Sequence, residues 1–146
     1  MIPDRIRKAA KLLDDAVEKQ NIEEIESFFS DACDIELLGV KLSGKAGLRK
    51  ALDWMFRYLK DISFIPVTIM IEGDTFFEEF IVRAISKGGK EIKMKQAEVL
   101  IYDSDYKVRS LRLYFDRLEL ADAIASNIFE RMAIRLLIRA SVKELL

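Results

Sequence analysis

The sequence predicts an α+β fold: helices packed on one face of a bent, meandering antiparallel sheet, followed by a long C-terminal helix. Three observations carry that expectation. Apolar residues recur at helical spacing as far as Leu59. From Ile62 to Phe115 the pattern changes to strand-like runs punctuated by Gly73-Asp74, Gly88-Gly89 and Asp103-Ser104-Asp105, and beyond Leu118 the helical period returns. Helices, then a run of strands, then a helix is the pattern of a fold whose helices are segregated to one side of an antiparallel sheet.

Taken in order, Pro3 to Lys19 is the first helix, with Pro3 suited to the first turn and Ile6, Ala9, Ala10, Leu12, Leu13, Ala16 and Val17 recurring at three and four. Asn21 caps a second helix, with Glu24 three residues on in a capping-box pattern and Ile22, Ile25, Phe28 and Phe29 as its buried side. Cys33 to Leu38 reads as a short strand. Ser43 or Gly44 opens a third helix carrying Leu48, Leu52, Met55, Phe56 and Leu59. Four strands follow, Ile62 to Glu72, Thr75 to Ser86, Glu91 to Tyr102 and Lys107 to Phe115, joined by short-turn chemistry that favours a meander. Asp116-Arg117-Leu118-Glu119 has the form of a cap for the last helix, which extends to the C-terminus with Ile124, Ile128, Phe129, Met132, Leu136 and Leu137 on one side.

The 146 residues suit a single domain, because two domains of half that size would each be poorly buried. Residues 118–146 form a helical extension expected to act as a lid or a dimer contact. With 24 basic and 25 acidic residues the net charge is -1, so no global field draws the chain to nucleic acid or anionic lipid. The lysines at 87, 90, 93 and 95 lack the interleaved aromatics on which bases stack. The lone Cys33 cannot form an internal disulfide and reads as a small buried hydrophobe, which sets a reducing, cytoplasmic location as the expectation. Charges such as Arg135 and Arg139 interrupt the longest apolar stretches, so no membrane span is expected. The chain has no histidine, which excludes Ser-His and Cys-His nucleophilic systems and histidine-built zinc sites. Acid-base chemistry must then use carboxylates, tyrosines or lysines.

Candidate site residues follow from this frame. Glu36 lies on the short strand between two helices, where the later sheet can curl around it to form a cup. Period-two alternation puts Met94, Gln96, Glu98, Leu100 and Tyr102 on one face and Lys93 and Lys95 on the other, so Gln96 and Glu98 are expected to point inward. A carboxyl in such a cup would be held protonated by desolvation, and a better-solvated one at Glu36 could move a proton alpha to a carbonyl. The competing reading leaves Glu36 at a solvated strand end and pairs Glu98 with a nearby Arg or Lys. Thr75 to Ser86 is apolar on both parities, with Glu79 and Arg83 in the set that holds Phe77, Ile81 and Ile85. Trp54 either walls an aromatic pocket or packs in the ordinary way.

The Phe28-Phe29-Ser30-Asp31-Ala32 segment, the Ser43-Gly44 helix start and the ending Leu111-Arg112-Leu113-Tyr114-Phe115-Asp116, in this order of elements, resemble the nuclear transport factor 2-like superfamily. The nearest branch is the SnoaL-like group, which includes polyketide cyclases, ketosteroid isomerases and limonene epoxide hydrolase. The resemblance runs from about Ile6 to Asp116 and implies a cone-shaped, cystatin-like roll. Against the isomerase pattern the proton-shuttling aspartate falls on Glu36 and the protonated hydrogen-bond donor on Glu98, while the tyrosine of the first helix falls on or near Leu13 and is absent. Against limonene epoxide hydrolase, the Arg-x-Asp pair falls near Glu79 and Ile81 and the final aspartate on Leu113, which disfavours that mechanism. The same alignment turns Glu79 and Arg83 toward the cavity, with Arg83 a carboxylate anchor for a ligand or a partner for Glu98; the competing reading of Arg83 is a structural ion pair that fixes the core.

Two functions are expected from this. The first is a cupped domain that binds a small, apolar or carbonyl-containing molecule without catalysis, as a homodimer. The second is an isomerase or cyclase using Glu36 and Glu98, with no cofactor and no metal required.

Overall fold

The computed structural model covers residues 1–146. Its elements are α1 (Pro3–Glu18), α2 (Ile22–Ser27), β1 (Phe29–Leu37), β2 (Val40–Ser43), α3 (Gly44–Tyr58), β3 (Leu59–Glu72), β4 (Thr75–Ser86), β5 (Glu91–Tyr102), β6 (Val108–Phe115), α4 (Arg117–Ile124) and α5 (Ile128–Val142), with a final 3₁₀ turn at Lys143–Leu145. The strands form one six-stranded sheet in the order β2-β1-β6-β5-β4-β3. The meander from β3 to β6 is antiparallel, as its short turns predict. β1, however, pairs in parallel with β6, so the sheet is mixed.

Local sequence explains where the elements begin and end. Asn21 Oδ1 accepts the Glu24 amide at 3.2 Å and caps α2. α2 stops at Ser27, so Phe29 opens β1 instead of lying on a helix. The β1–β2 hairpin, unforeseen from sequence, turns through Leu38 (φ 54°) and Gly39 (φ 72°), the two positive φ values of a primed turn. Leucine is an uncommon occupant of that region, which is why no turn signal was visible there.

The C-terminal segment is two helices, not one. Asn127 Oδ1 accepts the Glu130 amide at 2.9 Å, and Glu130 Oε2 accepts the Ser126 amide at 3.0 Å, so a capping box starts a new helix after Ala125. Asp116 caps α4 by accepting the Leu118 amide at 2.8 Å. α4 lies against β5, whereas α5 packs mainly on α4 and the final turn.

The main core joins α1, α2 and α3 to one face of the sheet through Ile6, Leu13, Ile25, Leu48, Leu52, Phe76, Leu100 and Tyr102, with Cys33 buried among them. A smaller cluster of Ile62, Phe80, Val82 and Ala84 continues it toward β3. No helix is long and apolar enough to cross a membrane.

Candidate functional site: an apolar cup with an acidic floor

Between the three N-terminal helices and the concave face of the sheet lies a cavity of about 120 Å³. Of its 18 lining residues 15 are hydrophobic, which confines its polar chemistry to Asp14, Gln96 and Glu98. Helix α1 supplies Leu13, Asp14 and Val17, and α3 supplies Trp54 and Met55. The inward parity of β1, β5 and β6 supplies Ile35, Leu37, Gln96, Glu98, Leu111 and Leu113. No residue beyond Leu113 lines the cavity.

Of the residues picked out from sequence, Glu98, Gln96 and Trp54 meet at this cavity. Glu36 does not. Alternation along β1 sends Ile35 and Leu37 inward and Glu36 to the opposite face, opposite Lys41 on β2 and Arg112 on β6, beside a shallow surface groove. The expected pairing of Glu36 with Glu98 is therefore corrected. Glu79 and Arg83 also lie on the outer face: Glu79 Oε1 accepts a hydrogen bond from Thr68 Oγ1 at 3.1 Å, and Arg83 is exposed 3.5 Å from Glu91. On β4 it is the other parity, Phe76, Glu78, Phe80, Val82 and Ala84, that is buried.

Two acids that sequence reasoning passed over cluster with Glu98, Asp14 in the cavity lining and Glu78 just outside it. Asp14 follows Leu13 on α1, and Glu78 lies directly across from Glu98 in the β4–β5 register. One carboxylate oxygen from each of Asp14, Glu78 and Glu98 lies within 4.8 Å of the other two. Glu78 is only 2% exposed, and its Oε1 has no hydrogen-bond partner. The Tyr102 hydroxyl, four residues beyond Glu98 on the same face of β5, is likewise buried without a partner. None of the three acids forms a salt bridge.

Burial sets the electrostatics. Desolvation, then the charges of Asp14 and Glu78, holds Glu98 well above the usual carboxylate range. Desolvation, then the Glu78 charge, pushes Asp14 up to about 7. Glu78 is raised by desolvation, and Tyr102 by desolvation and then by the Glu98 charge. Two unit charges at such a separation repel by roughly 3 kcal/mol at an effective dielectric of about 20, so ionising all three carboxyls together is disfavoured.

A curled sheet closed by N-terminal helices over an apolar cavity defines the nuclear transport factor 2-like class of protein. The family model for the SnoaL-like domain matches residues 9–109, and the chain belongs to that family. No curated protein is detectably similar in sequence. Among solved structures, a nuclear transport factor 2-like protein of unknown function from Burkholderia pseudomallei superposes with a TM-score of 0.76 at 11% identity, covering 84% of this chain and 98% of that one. TerC, crystallised with polyporic acid, superposes with a TM-score of 0.74 at 18% identity, covering 84% and 99%. A Mycobacterium tuberculosis protein in complex with estradiol-17beta-hemisuccinate gives 0.68 at 11% identity, covering 77% and 95%. At these identities the likeness is one of fold.

Proposed function

We propose that this SnoaL-like domain binds a small, largely apolar molecule in the cup, with protonated Glu98 donating a hydrogen bond to the molecule's polar group. The observation that carries this reading is a hydrophobic wall that ends at a carboxyl held protonated by its surroundings. Trp54 is the only tryptophan and lines the cavity, so its fluorescence reports occupancy. Titration with cyclohexanone or hexanol is expected to give a saturable change that Ala51→Phe, which fills the cup, removes. No response to either molecule in the wild type would sink the reading.

A second reading, proton transfer, is favoured by Asp14, whose carboxyl titrates close to neutrality beside a more strongly protonated Glu98. On that reading Asp14, not Glu36, is the base. The same cyclohexanone titration, run in heavy water, separates the two: exchange of the alpha hydrogens faster than in buffer and lost in Asp14→Asn supports catalysis, and exchange at the buffer rate leaves binding alone.

We further propose that the chain works as a homodimer through α5. Ile128, Phe129, Met132, Leu136 and Leu137 are each more than half exposed, apolar side chains at helical spacing that their own domain leaves uncovered. Light scattering on the eluted protein is expected to give the mass of two chains, falling to one in Leu136→Glu. A single-chain mass for the wild type would refute the dimer.

A further inference from the structure

We infer that the floor formed by Asp14, Glu78 and Glu98 is a binding site for a protonated amine, so that the cup takes a small amphiphile with an ammonium head and an apolar body. The inference rests on the reading that the cup binds a small molecule, and it names the chemical class. Three carboxylate oxygens converge within 4.8 Å of one another. A primary ammonium offers three N–H donors from a single atom, one for each.

Glu78 adds an observation independent of the clustering. It is 2% exposed, with an oxygen that no protein group satisfies, although buried carboxylate oxygens are ordinarily paired. The Tyr102 hydroxyl is a second buried polar group without a partner on the same strand face. The chain places no lysine or arginine in salt-bridge contact with any of the three acids, so an ammonium head meets no competing cation of the protein there.

The rest of the lining determines what that cation carries. Beside the acids the wall is Leu13, Trp54, Met55, Phe64 and Leu113, which suits a hydrocarbon or ring body and the face of a cation. A hydrated divalent ion would use the acids but leave that wall against water, since such ions keep several oxygen ligands around them. An alkylammonium uses both surfaces.

Hexylamine and hexanol differ only in the head group, and an alkylamine, like the lysine ammonium, stays protonated at about pH 8. Titrated against Trp54 fluorescence at that pH, hexylamine is expected to bind at least tenfold more tightly than hexanol. Glu78→Gln is expected to lose most of the preference for the amine, with a cooperative thermal transition showing that the variant is folded. Equal affinity for the two molecules overturns the ammonium site while leaving the pocket. Failure of both to bind removes pocket and site together. Manganese or calcium ions that raise the melting temperature when hexylamine does not would overturn the inference in favour of a metal.

Discussion

Urea denaturation is expected to find this fold more stable near pH 5 than near pH 8, the reverse of a protein held by ionised carboxylates. Asp14, Glu78 and Glu98 are all raised in the folded state, so between their unfolded and folded titrations the native protein binds more protons than the unfolded chain. Stability is then complete below the unfolded values near 4 and falls as pH rises through the folded ones. For Asp14 alone, a change from 3.8 to about 7 corresponds to roughly 4 kcal/mol lost by pH 8.

The groups acting on Asp14 are Glu78 from β4 and Glu18, Lys11 and Asp15 from its own helix; Glu98 and Tyr102 from β5 face the same floor. Asp74, Glu26 and Glu130 act in the opposite sense. They are lowered, chiefly by Arg109, by Arg49 and by the Ser126 amide respectively, and their stabilisation is lost only as pH falls below about 4. Maximal stability therefore lies near pH 4, and Asp14→Asn should flatten the fall toward pH 8. A stability that is level or rising from pH 5 to pH 8 would contradict the raised titrations of the three acids.

Phe76→Ala is expected to destabilise the fold by about 3–5 kcal/mol, the range for emptying a large aromatic site in a packed core. Phe76 is 2% exposed and belongs to the main cluster with Leu100 and Tyr102. Met70, 60% exposed on β3, serves as the control, since its replacement by alanine should change little. Urea midpoints compared at unchanged slope measure both. A loss under about 1 kcal/mol for Phe76→Ala would mean that the helices do not pack on the sheet in this way.

Much of the frame was legible because its periods are strong. β4 and β5 run over the residues expected, from Thr75 to Ser86 and from Glu91 to Tyr102, since each is bounded by turn residues and long enough for its pattern to register. The parallel pairing of β1 with β6 was not legible, because pairing between distant strands leaves no local mark. The break before α5 did leave one, in Ser126, Asn127 and Glu130, but a continuous apolar stripe masked it.

The site was legible where a single parity was decisive. Lys93 and Lys95 claim the solvent side of β5, which sends Gln96 and Glu98 inward. On β4 both parities are apolar, so the residues offered no choice, and the alignment turned Glu79 and Arg83 the wrong way. The better clue was Glu78 itself, a charge within the set Phe76, Phe80, Val82 and Ala84. Asp14 gave a similar signal: it stands four residues after Ala10 and three before Val17, on the stripe that a helix buries.

The parallel strand pair has a consequence for biogenesis. Ile35 and Leu37 meet Leu111 and Leu113 across β1 and β6, joining the two ends of the domain to make a single wall. A chain emerging from the ribosome can build α1 to α3 early, but it cannot close the cup until β6 has been synthesised, and such non-local closure is slow. The apolar wall of the cup is therefore absent until the two ends of the domain have met.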